Sequence, residues 1–126
     1  MRKIPAPSVN PENKPFFDAA GNGKLLLKFC NSCKRFHHYP RSLCPHCFSD
    51  KTEWREAKGT GTVYTYSVLK AVQDPYCIAY VTLEEGVTVL SNIVDCDFDR
   101  LNVGMKVKAV FKPSEGGAPV PMFAPA

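Results

Sequence analysis

The sequence has no apolar run long enough to cross a membrane, and its opening residues lack the apolar stretch of a signal peptide. The longest apolar run is Cys77 to Val81, whereas a transmembrane helix needs about 20 residues. Repeats and low-complexity tracts are also missing, and 44% apolar against 22% charged residues excludes a disordered chain. We therefore expect a globular protein of the cytoplasm, in which the six cysteines stay reduced and act as metal ligands or core residues.

Acidic residues are missing from the whole stretch between Asp18 and Asp50. Residues 1–57 contain ten basic and five acidic side chains, a net +5, whereas residues 58–126 contain six and seven, a net −1. The basic half is either an ordinary solvated surface or one that attracts a phosphate-bearing ligand, and its composition leaves both interpretations open.

Long helical patterns are lacking as well. The first thirteen residues contain three prolines and no apolar periodicity, which predicts an extended arm or a disordered terminus. Pro15 suits the first turn of a helix and Gly21 its end, which predicts one short helix over Pro15–Ala20. Because so short a helix is unstable alone, Phe16 and Phe17 must pack on the rest of the chain or on another protein.

Beyond the glycines at positions 59 and 61 the sequence is typical of β-structure. The predicted strands are Val63–Val68, Tyr76–Glu84, Val87–Asp95 and Lys106–Lys112. A tight hairpin is expected around Gly86, and one helical turn over Phe98–Asn102. Four or five short strands without a long helix favour a small closed barrel over a sandwich, because such a barrel needs no second sheet to cover it.

Two CxxC motifs are the strongest chemical signal. Cys30 and Cys33 form the first, Cys44 and Cys47 the second, with ten residues between them. A two-residue gap lets a tight turn aim both sulfurs at one point, and two such turns complete a tetrahedron of thiolates. This pattern predicts one structural Zn²⁺, with iron as the competing metal, and a closed coordination shell that leaves no position for substrate. His46 lies inside the second motif and is interpreted as a bystander.

The segment between the two motifs is basic and aromatic. Its candidate residues for binding a phosphate and stacking on a purine ring are Lys34, Arg35, Phe36, Tyr39 and Arg41. Arginine forks bind phosphates and aromatic faces stack on purines. The alternative is that the two aromatic rings form a small core of the ribbon while the cations are solvated.

Taken in order, these pieces resemble one family. The stretches CNSC, YPRSLCPHC, GTGTVYTYSV, PYCIAYVTLEEGV and LNVGMKVKAVFK are similar to those of the domain-of-unknown-function family thirty-five, over about residues 15–125. In that pattern Pro40 and Arg41 precede the second motif, although this chain has Tyr39 where the family often has a second proline. Glycine turns of the family correspond to Gly59, Gly61, Gly86 and Gly104.

The resemblance implies a mainly β fold with three parts. They are an arm and docking helix over residues 1–23, a rubredoxin-like zinc ribbon over 24–57, and an OB-fold barrel with a C-terminal tail over 58–126. It also implies a function: an accessory subunit, in a hetero-oligomer with a thiolase-superfamily enzyme, that helps to stabilise the partner and to shape or close an acyl-CoA site. In this interpretation Phe16 and Phe17 anchor the docking helix, and the basic aromatic segment between the CxxC motifs binds CoA or the partner.

No catalytic residue is predicted. The two cysteines outside the CxxC motifs are Cys77, inside the most apolar strand, and Cys96, between Asp95 and Asp97, and both settings disfavour a reactive thiolate. We therefore expect no activity of the chain alone.

Single-stranded nucleic-acid binding is the competing function, because zinc ribbons and OB-folds both serve it elsewhere. Tyr64 and Tyr66 would then stack on bases. The near-neutral charge of the barrel half argues against it, since a groove that follows a phosphate backbone should be basic, and we expect neither a nucleic-acid nor a membrane partner.

Overall fold

The computed structural model of the chain describes residues 4–71 and 73–126, so the first three residues of the predicted arm lie outside it. The elements are a helix α1 (Lys14–Ala20), eight strands and one 3-10 turn (Phe98–Arg100). The strands are β1 (Leu26–Cys30), β2 (Arg35–His37), β3 (Thr52–Glu56), β4 (Thr60–Leu69), β5 (Tyr76–Leu83), β6 (Thr88–Ile93), β7 (Lys106–Ser114) and β8 (Gly117–Pro125). Within the described ranges no helix has the length and apolarity needed to span a bilayer.

The predicted short helix is confirmed and begins one residue earlier than expected, with Pro15 in its first turn. Asn10 and Asn13 prepare its start, because the side-chain oxygen of each accepts a hydrogen bond from the backbone N–H of the other. The helix ends at Gly21, whose N–H donates to the carbonyl of Phe17 at 3.1 Å.

Three strands form the ribbon, in the order β2-β1-β3, with both pairings antiparallel. The strands are short because each is interrupted by a metal-binding turn or a chain reversal. β1 supplies a buried apolar row of this sheet, through Leu27 and Phe29.

The predicted barrel is confirmed as a closed five-stranded barrel of order β4-β5-β6-β8-β7. All four predicted strands are present, as are the hairpin at Gly86 and the helical turn after Asp97. Gly61 lets β4 and β5 approach closely, because a Cβ there would lie 2.7 Å from the carbonyl oxygen of Thr82.

The fifth barrel strand, β8, lies where the sequence predicts only a C-terminal tail. Its three prolines cannot donate backbone hydrogen bonds, so the sequence pattern argues against a strand at this position. The structure accommodates them because β8 pairs fully with β7 along one edge and touches β6 at a single parallel pair, Ile93 with Phe123.

A single hydrophobic cluster joins the two sheets. It contains Phe16, Leu25 and Leu27 from the first half of the chain together with barrel residues such as Val81 and Phe123. The division of the chain at residues 57 and 58 therefore stays a prediction, since side chains from both sides share one core.

Candidate metal centre and the adjoining loop

The structure brings the four CxxC cysteines together at the end of the ribbon, with all four Sγ atoms within 4.8 Å of one another. The two knuckles have the same local geometry. In each, the residue four positions after the first cysteine donates its N–H to that cysteine's carbonyl, at 2.9 Å for Lys34 and 2.8 Å for Phe48. Both of these residues adopt the left-handed conformation, with φ of 60° and 64°.

The sulfur spacing fits a zinc tetrathiolate. Sulfurs bound to one zinc at about 2.3 Å are about 3.8 Å apart in a tetrahedron, and the Sγ–Sγ distances are 3.6 Å for Cys30 to Cys47 and 3.7 Å for Cys33 to Cys44. Both separations are far longer than a disulfide bond of about 2.05 Å. The predicted cofactor, one structural metal ion held by four cysteines, is confirmed; His46 is not in the group.

The pKa values of these thiols also indicate that the site holds a cation. The backbone N–H of Cys33 donates to Sγ of Cys30 at 3.5 Å and lowers the pKa of Cys30 to about 6. Burial, together with the sulfur contacts to Cys30, Cys44 and Cys47 and the charge of Cys30, raises the pKa of Cys33 to about 12. All four sulfurs ionise together only when a divalent ion compensates them, and that ion would supply a structural cross-link.

The predicted basic and aromatic residues separate into three environments. Lys34 and Arg35 are exposed and form no ion pair within the described part of the chain. Phe36 packs edge to face on Phe29, with ring centroids 4.9 Å apart, and so belongs to the core of the ribbon. For Phe36, the structure therefore matches the alternative in which the aromatic rings of this segment form a small core of the ribbon.

Tyr39 and Arg41 form a partly exposed pair beside them. The Tyr39 hydroxyl accepts a hydrogen bond from Nδ2 of the buried Asn13 at 2.6 Å. The Arg41 guanidinium lies 5.2 Å from the centre of the Tyr39 ring and 3.7 Å from a carboxylate oxygen of Glu12. One face of the ring therefore carries a cation while its edge is held by the start of α1.

Phe16 and Phe17 are not available to a partner in this structure. Their exposed fractions are 5% and 7%, and both rings belong to the shared hydrophobic cluster. The helix turns its apolar face inward because β8 and β1 lie beneath it, and the docking role of the two rings stays a prediction. Of the two alternatives left open by the sequence, packing on the rest of the chain is the one observed.

His38 is a half-buried polar residue that the sequence analysis did not single out. Its ring lies between Phe16 and Tyr39, at centroid distances of 5.3 and 5.4 Å. Nδ1 is buried and has no hydrogen-bond partner among the described residues. Burial, reinforced by the nearby His37 and Arg41, lowers the pKa of His38 to about 4, so the ring is neutral at physiological pH.

A second residue missed by the sequence analysis is Glu85. It lies in the turn between β5 and β6, where its Oε2 accepts a hydrogen bond from the backbone N–H of Lys58 at 2.9 Å, and its Oε1 is buried. The neighbouring Glu84 lies 3.7 Å from the Lys58 ammonium. The β5–β6 hairpin therefore holds the segment that connects the ribbon to the barrel.

The two cysteines away from the metal centre lie in settings that keep them protonated. Burial raises the pKa of Cys77, whose Sγ contacts the carbonyl oxygen of Ile78 at 3.6 Å. Burial also raises the pKa of Cys96, and the carboxylates of Asp97 and Asp95 raise it further.

Known families match both halves of the chain. The model described as "ChsH2, rubredoxin-like zinc ribbon domain" matches residues 17–53, and the one described as "ChsH2, C-terminal OB-fold domain" matches residues 54–112. A DUF35 domain-containing scaffold protein of Methanothermobacter thermautotrophicus is 38% identical over 90 residues, which cover 66% of this chain and 68% of that protein. The chain belongs to the DUF35 family.

Two further relatives are similar over different lengths. A DUF35 domain-containing scaffold protein of Methanocaldococcus jannaschii is 42% identical over 91 residues, covering 66% of this chain and 64% of that protein. A protein of Thermomonospora curvata named "Probable enoyl-CoA hydratase alpha subunit" is 35% identical over 127 residues. That match covers 97% of this chain but 40% of the relative, so the chain spans well under half the length of that protein.

Solved structures include a DUF35 chain of similar length. The structure titled "Ltp2-ChsH2(DUF35) aldolase" contains a chain that superimposes with a TM-score of 0.81 at 35% identity, over 94% of this chain and 98% of that chain. A DUF35 protein of unknown function from Sulfolobus solfataricus superimposes with a TM-score of 0.68 at 21% identity and supports the fold alone.

Proposed function

We propose that this protein is a non-catalytic scaffold subunit of a thiolase-type or aldolase complex that acts on an acyl-CoA. The observation that carries the proposal is its likeness, over 98% of the other chain, to the DUF35 chain of a structure titled as an aldolase with a second component. Relatives named as scaffold proteins and as the alpha subunit of an enoyl-CoA hydratase support the same role.

The chemistry of the described residues supports a scaffold rather than an enzyme. Four thiolates close the coordination shell of the metal, so the ion supplies stability and offers no position to a substrate. The remaining thiols, Cys77 and Cys96, have raised pKa values and are poor nucleophiles. In this proposal the reacting groups belong to the enzyme subunit, in a hetero-oligomer of the cytoplasm.

Lys34, Arg35 and Arg41 are the candidate contacts with CoA phosphates or with an acidic surface of the partner. Lys34 and Arg35 are exposed, and Arg41 is half exposed beside Tyr39. Their position at the metal-stapled end of the ribbon gives them a rigid base, which lowers the entropy lost on binding.

The test is to co-express the full chain with the thiolase-superfamily or aldolase subunit whose gene lies nearest its own, and to measure co-elution and acyl-CoA turnover. We expect a stable complex whose KM for acyl-CoA rises about tenfold when Lys34→Glu and Arg35→Glu are combined, because each reversal replaces attraction to phosphate by repulsion. Lys108→Glu is the matched control, since Lys108 is an exposed cation on the barrel.

The outcomes separate the two parts of this proposal. Failure of the wild-type chain to co-elute with that enzyme subunit would reject the scaffold function. A stable complex in which the double variant and Lys108→Glu have the same KM would retain the scaffold and reject the role of the loop.

A further inference from the structure

The outer face of three barrel strands carries an unusual concentration of exposed apolar side chains. We define the β4–β6 face by the outward positions of these strands: Thr60, Thr62, Tyr64, Thr65, Ser67, Leu69, Tyr76, Ile78, Tyr80, Thr82, Thr88, Leu90 and Asn92. Of the nine large apolar side chains that are exposed among the described residues, four lie on this face, namely Tyr64, Ile78, Tyr80 and Leu90. A monomeric protein rarely leaves such a cluster uncovered.

The register of the strands makes the cluster continuous. Tyr80 pairs with Thr65 on one side and with Leu90 on the other, and Ile78 pairs with Ser67 and Asn92. These side chains therefore form two adjacent rows across the sheet. Tyr64 extends the patch, because the β-bulge between Val63 and Thr65 pushes its ring out to 67% exposure.

The β4–β6 face carries no charged side chain at any of its outward positions, all of which the structure describes. A cation reaches only its rim, where Nζ of Lys106 lies 3.3 Å from Oγ1 of Thr62. Depletion of charge together with enrichment in aromatic residues is the composition of the buried centre of protein–protein interfaces. The same lack of cations makes the face a poor match for a phosphate backbone.

A shallow groove runs through the face. It has a volume of about 120 Å³ and is walled by Ile78, Tyr80 and Leu90, with Thr65 and Ser67 behind them. It has room for one apolar side chain of medium size, and anchors of this kind in desolvated pockets supply most of the free energy of binding at interfaces.

We propose that the β4–β6 face is the docking surface for the enzyme subunit, through an uncharged patch of that subunit with one apolar side chain seated in the groove. This inference rests on the proposed scaffold function and adds to it the surface that makes the contact. The lack of charge on this face favours an uncharged patch on the partner. A charged patch would lose its hydration on binding and would find no opposite charge on the face. The basic loop at the ribbon is then left free for the ligand or for the rim of the interface.

The experiment uses the full zinc-loaded chain and the same thiolase-superfamily or aldolase subunit. Leu90→Lys and Tyr80→Glu each place a charge at the centre of the face, and their affinity for that subunit is measured by titration calorimetry. Val103→Lys is the matched control, because Val103 is 66% exposed and lies in the turn before Gly104, off the face. Zinc content and the thermal transition of each variant show that the fold is intact.

We expect each face variant to bind about 100-fold more weakly or worse, because an unpaired charge is buried at the interface, whereas Val103→Lys binds like the wild type. Wild-type affinity in both Leu90→Lys and Tyr80→Glu would overturn the docking surface and leave the scaffold function standing. If either face variant loses zinc or its thermal transition, Leu90→Ser replaces it, and wild-type affinity in that variant would overturn the proposal equally.

Three other results would also overturn the proposal. If the wild-type chain does not bind the enzyme subunit at all, the scaffold function fails and the docking surface fails with it. If sedimentation shows a dimer of this chain that Leu90→Lys dissociates, the occupant is a second copy. If a labelled thymidine oligonucleotide binds at low salt and Tyr80→Ala abolishes that binding, the face serves single-stranded nucleic acid.

Discussion

The ribbon and the barrel are stabilised by different means, although they share one hydrophobic cluster. The ribbon has strands of three to five residues and gathers four cysteines at one end. The barrel has strands of six to ten residues and encloses side chains that are almost fully buried, such as Val81, Ile93 and Val107. A sheet as small as the ribbon removes too little apolar surface from water to be stable alone, so a metal cross-link supplies what the core cannot.

Removing the metal should produce the largest difference in stability between the ribbon and the barrel. Cys44→Ser takes one ligand from the buried side of the cluster, and we expect it to abolish stoichiometric zinc binding. The free energy of binding a structural zinc is on the order of 10 kcal/mol, so the ribbon should lose its protection against hydrogen exchange while β5 and β7 keep theirs. Cys96→Ala is the control, since Cys96 lies outside the cluster. One zinc per chain in Cys44→Ser would contradict the four-cysteine site.

Loss of a core side chain should weaken the barrel and leave the metal in place. Phe123 is 2% exposed and lies where β8 meets β6, so Phe123→Ala should lower the free energy of unfolding by about 3–5 kcal/mol. Urea denaturation measures this change and metal analysis the zinc. Val120→Ala on the same strand, where the side chain is only half buried, should cost clearly less; an equal cost at both positions would refute a core centred on Phe123.

Acid should act at the junction of the two regions, through His38. The folded pKa of about 4 lies below the usual value of 6.5, so the unfolded chain binds the proton first as the pH falls. The contribution of the neutral ring to stability is complete above pH 6.5 and is lost between pH 6.5 and 4, by up to about 3 kcal/mol. His38→Phe should remove this part of the pH dependence.

The comparison of His38→Phe with the wild type isolates the histidine, because acid release of the metal affects both proteins alike. Denaturant unfolding at pH 7, 6, 5 and 4 provides the measurement. Parallel pH profiles in the two proteins would show that His38 is solvated and protonates normally in the folded state.

The smallest effect concerns the contact that holds α1 to the ribbon. Tyr39→Phe removes the hydroxyl that accepts from Asn13, whose Nδ2 still donates to the carbonyl of Ser8 at 3.1 Å. We expect a loss of about 1 kcal/mol in the free energy of unfolding. Tyr64→Phe, at an exposed ring, should change stability by less than about 0.5 kcal/mol, and equal effects at the two tyrosines would argue against this contact.

Local chemistry explains why some elements were predictable. A CxxC spacing allows only a tight turn, so the four ligands and the closed metal shell follow from Cys30, Cys33, Cys44 and Cys47 alone. The alternation of lysines with apolar residues in β7 and the glycine turn at Gly86 likewise reveal the barrel strands and their hairpin. These signals lie within a few residues of the structures that they produce.

Contacts between distant parts of the chain were not predictable in the same way. β8 is a strand because β7 offers it a complete edge, in spite of prolines that locally disfavour the assignment. Phe16 and Phe17 look alike whether they face a partner or the chain's own core, and only the position of β8 beneath α1 decides between the two. His38 and Glu85 are ordinary polar residues in the sequence, and neighbours far away in the chain bury one polar atom of each, Nδ1 of His38 and Oε1 of Glu85.

The sequence by itself determined the chemistry of this protein: the family, the four-thiolate metal site, the basic first half and the strands of a small barrel. The tertiary structure alone decided which surfaces remain for a partner. In the folded chain Phe16 and Phe17 are buried in the core, whereas the β4–β6 face is exposed. The two faces of a strand differ only in which side the rest of the fold covers, so the sequence of the strand alone does not decide which face is exposed. A pattern of residue types specifies that a side chain can be buried, and long-range packing specifies what buries it.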